Sequence, residues 1–135
     1  MSLENKPLPS FMEWQELTSL VGSIRTHSLV AHPTTLAQCR DVLAYCREHH
    51  MTVCARGAGR GYGDIALNDG QALIDMRAMD RILAFDEAAA QITVEAGTRL
   101  IDIYHAVHHR LLMLPASPTE SHSSVAGAIC ANVNG

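Results

Sequence analysis

Basic charge is scarce in this chain: ten lysines and arginines stand against fourteen aspartates and glutamates, for a net charge of −4 and a pI near 6.0. Proteins that neutralise a phosphate backbone carry the opposite balance, so nucleic acid is excluded as a first partner. Lysine is limited to Lys6, which removes the Gly-Lys-Ser/Thr of a P-loop. No apolar run approaches the roughly 20 residues of a bilayer span. The first thirty residues hold Glu4, Glu13 and Glu16, with Pro7, Pro9 and Gly22, where a signal peptide would have its apolar core. The expectation is a soluble, cytoplasmic chain with no transmembrane segment. Cys39, Cys46, Cys54 and Cys130 form no C-x-x-C pair and are read as reduced. What remains is 135 residues, 47% hydrophobic and 18% charged, enough for the core of one domain and not two.

Met1 to Ser10 is polar, holds two prolines and reads as an extended arm. Phe11, Trp14, Leu17, Leu20 and Val21 recur at helical spacing and predict one or two helical turns, with Trp14 as a core anchor. His27 to Ala31 reads as a strand that ends before His32-Pro33, because the residue before a proline is pushed toward extended backbone. Thr34 or Thr35 then caps a helix whose Leu36, Cys39, Val42, Leu43 and Cys46 point inward, and His49-His50 marks its carboxyl end. Residues 52–55, 72–76, 81–85 and 91–95 read as strands. Leu100, Ile103, Tyr104, Val107 and Leu111 predict a second amphipathic helix, and the small apolar run Val125 to Val133 a tightly packed short helix or turn. Asp75, Asp80, Asp86 and Glu95 fall at strand ends or on polar faces and are expected to be solvated. This order predicts an α+β fold rather than strict βαβ alternation.

The densest signal is Arg56-Gly57-Ala58-Gly59-Arg60-Gly61-Tyr62-Gly63-Asp64, where four of the nine glycines fall within seven residues. Alternate glycines permit positive φ and remove side-chain bulk, so successive backbone N–H groups converge on an anion such as a pyrophosphate, with Arg56 and Arg60 adding charge. The spacing misses G-x-G-x-x-G, since the third residue after Gly59 is Tyr62. Glycine content alone fits a surface turn between strands as well. Tyr62 reads as a group beside the ligand or as a loop fixer. For Asp64 the loop-fixing role is the stronger, because a free carboxylate would repel a pyrophosphate. His105, His108 and His109 lack a carboxylate or cysteine at ligand spacing and read as a polar helix face, so no metal site is expected. Ser117, Ser121, Ser123 and Ser124 surround His122 without a G-x-S-x-G elbow, and no hydrolase triad is inferred.

Six pieces then occur in order: the Pro33 strand-to-helix entry, A-R-G-A-G-R-G-Y-G-D at 55–64, L-I-D-M at 73–76, the run through Phe85-Asp86, V-E-A-G-T at 94–98 and V-A-G-A-I at 125–129. From about residue 28 to the end the chain resembles the FAD-binding domain of the vanillyl-alcohol oxidase and p-cresol methylhydroxylase type. The nearest branch is the decaprenylphosphoryl-ribose oxidase-like proteins. The resemblance implies an α+β fold holding the first subdomain and the start of the second, with residues 1–26 as an arm and short helix before a partial domain at 27–135. It implies FAD contacts from Ala55, Arg56, Gly57, Ala58, Gly59, Arg60, Gly61, Tyr62, Gly63, Asp64 and Ile65. A second loop is implied to contribute Thr119, Ser124, Val125, Ala126, Gly127, Asn132, Val133 and Asn134.

The function implied is that of an FAD-dependent oxidoreductase acting on an alcohol or sugar CH–OH group; no residue present is implied as the catalytic base. Where the family reads Pro-Gly-Thr, this chain has Pro118-Thr119-Glu120, and where it reads Gly-Gly it has Ala126-Gly127. The place of the histidine that attaches FAD covalently in some members is taken by Arg60, so a dissociable, non-covalent FAD is expected. The expectation is also that the catalytic half is absent and comes from a missing remainder or a partner chain. An uncovered small-residue terminus would then favour self-association. The alternative is a noncatalytic, truncated flavin- or nucleotide-binding module, or the partner chain of a split oxidoreductase.

Overall fold

In the computed structural model, which describes residues 8–116 and 118–133, the chain opens with a hairpin in which β1 (Met12–Thr18) pairs antiparallel with β2 (Arg25–Ala31). Ser19 makes its turn: the Ser19 N–H donates to the Ile24 carbonyl at 2.9 Å, and the Ile24 N–H to Ser19 Oγ at 3.1 Å. The helical turns expected over Phe11 to Val21 are therefore a strand and a turn. Seven residue pairs with β2 outweigh the local periodicity, as pairing in a sheet commonly does. Trp14 is no core anchor; it stacks on His27 at 5.2 Å and stays 48% exposed. Of the arm expected over Met1 to Ser10, residues 1–7 lie outside the described residues.

The helix α1 (Leu36–Glu48) is capped by Thr35, whose side-chain oxygen accepts the Gln38 N–H at 3.2 Å. With β3 (Val53–Arg56) and β4 (Ala72–Asp75) the sheet has the order β1-β2-β4-β3, and β2, β4 and β3 run parallel. Central β4 is buried along its whole length. One face of the sheet packs Leu29, Ala31, Ala72 and Ile74 against Val42 and Cys46 of α1. The helix contact is narrower than the expected stripe, because Leu36 and Leu43 are exposed. Val42 and Cys46, one turn apart, carry the packing, and Leu43 lies roughly 100° further round the helix.

The opposite face carries Val30, Leu73 and Cys54 in register, and the connection from β3 to β4, residues 57–71, meets it where Cys54 Sγ donates to the Ile65 carbonyl at 3.8 Å. Neighbouring parallel strands need a crossover of about a dozen residues or more, usually a helix. Here the glycine-rich segment is that crossover. It is pinned at the amino edge of the sheet, where Ser28 Oγ donates to the Asn68 carbonyl at 2.8 Å and Asn68 Nδ2 donates to the Ala72 carbonyl at 2.8 Å.

A short 3-10 turn at Met76–Ala78 leads into an antiparallel pair, β5 (Ile82–Asp86) and β6 (Gln91–Val94). Helix α2 (Leu100–Val107) buries Leu100, Ile103 and Val107, the last two sharing a cleft with Phe85 and Ile92. The final helix, α3 (Val125–Cys130), is capped by Ser124. Helices together with a mixed four-stranded sheet and a separate antiparallel pair are the expected α+β architecture. No helix among the described residues is long and apolar enough to cross a membrane.

Asp80 and Asp86 are exposed, but Asp75 and Glu95, expected to be solvated, are only 2% and 8% exposed. Each is neutralised where it is buried: Arg77 donates to Asp75 from its backbone N–H, Nε and Nη2, and Arg81 donates to Glu95 from the same three groups. Sequence position alone gave no sign of burial at these strand ends, and the ion pairs make it tolerable. Gly97 closes the same region by close approach. A Cβ there would overlap the Met76 carbonyl and stand 2.8 Å from the Met79 carbonyl, which the Gly97 N–H already engages at 2.9 Å. Gly97→Ala is expected to cost roughly 1–3 kcal/mol of stability, seen as a lower urea midpoint with an unchanged slope. An unchanged midpoint would show that the backbone here yields freely.

Candidate functional site

The glycine loop leaves the carboxyl edge of β3, where Arg56 and Asp75 stand in register. Arg56 turns back into the loop: Nη1 donates to the Ala66 carbonyl at 3.0 Å and Nη2 to the Thr18 carbonyl at 3.3 Å. Gly59 takes φ +68°, and a Cβ on it would lie 2.5 Å from Arg56 Nη2. Arg56 is thus the loop fixer rather than a charge offered to a ligand. Asp64, expected in that role, uses its backbone carbonyl to accept the Leu67 N–H at 2.8 Å; among the described residues its carboxylate accepts no hydrogen bond. Tyr62 and Ile65 are largely exposed.

What the folded loop leaves open is its backbone. The N–H groups of Ala58, Gly59, Arg60, Gly61 and Tyr62 donate to no other group among the described residues, although Ala58, Gly59 and Gly61 are half-buried. They belong to a longer run, residues 57–66, whose N–H groups find no acceptor among the described residues and are open to solvent or an anionic ligand.

The second loop is brought directly against the first. Gly57 packs so closely on Ser124 that a Cβ at position 57 would overlap the Ser124 hydroxyl, and Arg60 Nη1 lies 4.0 Å from Glu120 Oε2. The placement comes from the segment after β6, which is zipped to the one before α3. The Leu100 N–H donates to the Ser123 carbonyl at 3.0 Å, the Ile101 N–H to the Ser121 carbonyl at 2.8 Å and the Val125 N–H to the Thr98 carbonyl at 2.8 Å. In contrast to the first loop, these donors are spent: Ala126 N–H goes to the Ala96 carbonyl and Gly127 N–H to Ser124 Oγ. Thr119 is exposed nearby, while Asn132, at φ +47°, and Val133 terminate α3. Asn134 lies outside the described residues. Ala55 is exposed on β3.

A cleft of about 220 Å³ opens beside Ala58 and is lined by Arg77, Asp80, Gly97 and Arg99 as well. These four were not among the expected contacts. The V-E-A-G-T piece held the signal for Gly97 and the following turn, but only the fold carries it to the glycine loop. Both arginines are occupied, Arg77 by Asp75 and Arg99 by Asp102 at 2.8 Å. Burial pushes the Cys39, Cys46 and Cys54 thiols up, so none is a ready thiolate nucleophile. Among the described residues no three His, Cys, Asp or Glu side chains converge to hold a metal. The arrangement suits binding of an extended anionic cofactor: an open amide cradle, a neighbouring cleft and a second loop against both.

Comparison with known proteins agrees with that geometry. The family profile described as FAD binding domain matches residues 27–135. The chain is 33% identical over 124 residues to decaprenylphosphoryl-β-D-ribose oxidase of Mycolicibacterium smegmatis, covering 92% of this chain and 26% of the relative. It is 36% identical over 97 residues to L-gulonolactone oxidase of Mus musculus, covering 72% of this chain and 22% of the relative. The chain therefore spans about a quarter of the length of the curated relatives it matches. Among solved structures, cholesterol oxidase from Brevibacterium sterolicum superposes with a TM-score of 0.82 at 20% identity, over 100% of this chain and 27% of that one. p-Cresol methylhydroxylase superposes at 0.67 and 24% identity, over 77% and 21%. These two likenesses establish the fold.

The edge of the site also carries a titration. Burial pushes the Asp75 carboxyl up, but the Arg77 side-chain and backbone hydrogen bonds, the Arg77 charge and His32 together hold it below its ordinary value of 3.8. A depressed folded-state pKa gives stability that is complete above the ordinary value and is lost as pH falls through the folded one. Asp75→Asn is therefore expected to melt below wild type at pH 7, with the gap closing as pH falls below about 4. Thermal melts between pH 7 and about 3 check this, and a gap independent of pH would contradict it.

Proposed function

The chain belongs to the FAD binding domain family, and on that premise we propose that it is the amino-terminal flavin-binding portion of an FAD-dependent oxidoreductase acting on an alcohol or sugar CH–OH group. The observation that carries the reading is the run of unspent N–H donors from Ala58 to Tyr62, held against the Ser124 loop. Those amides would hold the pyrophosphate, and the cleft between Ala58, Gly97 and Arg99 would take an adjoining part of the cofactor. When bound, the flavin supplies the redox chemistry; the protein supplies binding and orientation. Two relatives are named for a phosphoryl-linked ribose and a sugar lactone, which supports a sugar-like substrate. Binding is non-covalent in this reading, since Arg60 in the loop offers no nucleophile comparable to a neutral imidazole. The rest of the cofactor cleft and the substrate domain come from a remainder of the polypeptide or a partner chain.

A second reading keeps flavin binding and drops catalysis. It is favoured by the cleft itself, where Arg77 and Arg99 are neutralised by this chain's own carboxylates and Asp80 has no acid–base partner lining the cleft with it. Titration of FAD into the 135-residue chain, followed by quenching of flavin fluorescence, tests the shared premise. Reversible binding is expected, and Gly59→Val should weaken it by at least about tenfold, a larger loss than its cost to folding. A β-branched side chain resists φ +68° and displaces the Arg56 guanidinium beneath the amide cradle. Equal affinity in the two proteins would remove the loop from the site. Turnover of a sugar or alcohol by the chain alone would refute the noncatalytic reading.

A further inference from the structure

We propose that Arg60 and Glu120 form an electrostatic clasp that sets the two cofactor loops in their binding geometry before the flavin arrives. The proposal rests on the reading that the Ala58 to Tyr62 amides hold the FAD pyrophosphate. Between the two loops, Gly57 packs on Ser124. Arg60 and Glu120 lie three and four residues away from that contact, with Arg60 Nη1 4.0 Å from Glu120 Oε2, and they supply a second one. The amides of Ala58 and Gly59 fall between the two.

The Glu120 carboxylate is already oriented by its own loop. Its Oε1 accepts the His122 N–H at 2.8 Å and lies 3.3 Å from His122 Nδ1, which leaves Oε2 facing Arg60. Left alone, a carboxylate here would repel a pyrophosphate; paired, its charge is cancelled and its position is used. Both side chains are partly exposed, so the clasp is weak and screened by salt. Arg60 and Glu120 are positioning residues, acting on the cradle rather than on the flavin.

The test uses the 135-residue chain with Glu120→Gln, Arg60→Gln and the exchanged pair Arg60→Glu with Glu120→Arg. Backbone ¹⁵N order parameters of residues 58–62 are measured without cofactor, and FAD affinity by fluorescence quenching. Either single change should lower the order parameters, and the exchange should restore them. Glu120→Gln should weaken FAD binding about two- to fivefold at low salt, with the difference vanishing near roughly 0.5 M salt. Tighter FAD binding by Glu120→Gln would overturn the clasp, because it would show a carboxylate that only repels the pyrophosphate. Unchanged order parameters in both single variants would overturn it as well. If the wild-type chain binds no FAD while the order parameters respond as expected, the clasp stands and the flavin reading fails.

Discussion

Two parallel strands that lie side by side cannot be joined by a tight turn, and in this chain the long return from β3 to β4 is made without a helix. The connection runs along a sheet face, where Ser28 and Cys54 bond to it, and leaves its backbone open at the carboxyl edge. The glycine-rich composition suits that course. Its first part doubles back on Arg56 and meets Ser124, and its last part is tied down by Ser28 and Asn68. The open backbone is thus a by-product of topology: Arg56, Ser28 and Asn68 fix the crossover, and the amides from Ala58 to Tyr62 are left without an acceptor among the described residues.

Charge is handled by the same economy of partners. Asp75 and Glu95 are buried at the ends of β4 and β6, each held by an arginine through several donors. These pairs do not add greatly to stability, since desolvation offsets much of their attraction, but removing either arginine leaves a buried carboxylate without its partner. Two residues past Glu95, the backbone approach of Gly97 to Met76 and Met79 joins the first sheet to the second part of the chain.

Membership in the FAD binding domain family and the superposition on cholesterol oxidase account for the overall plan. The local departures from the family pattern have a structural logic of their own. Glu120, at a departure from the usual Pro-Gly-Thr, and Arg60, where some members carry a histidine, are brought within ion-pair distance of one another across the two loops. Ala126, where a glycine is usual, has its N–H bound to the Ala96 carbonyl, so its backbone belongs to the scaffold of the second loop.

The sequence by itself determined the elements whose signals are local. The Thr35 cap and the Val42–Cys46 contact, the strands β2 to β6 and the glycine loop were legible because capping, periodicity and glycine density act over a few residues. The two candidate loops were legible as well, through ordered motifs rather than through any spacing. Tertiary structure alone decided what depends on distant partners. Phe11 to Val21 became a strand because β2 was there to pair with it, and Trp14 was left at the surface. Asp75 and Glu95 became buried because arginines reached them, and Arg56, in appearance a ligand contact, became a strut because Ala66 and Thr18 returned to its guanidinium. The meeting of Gly57 with Ser124, sixty-seven residues on, depends on hydrogen bonds between the segments before α2 and α3, which no local pattern encodes.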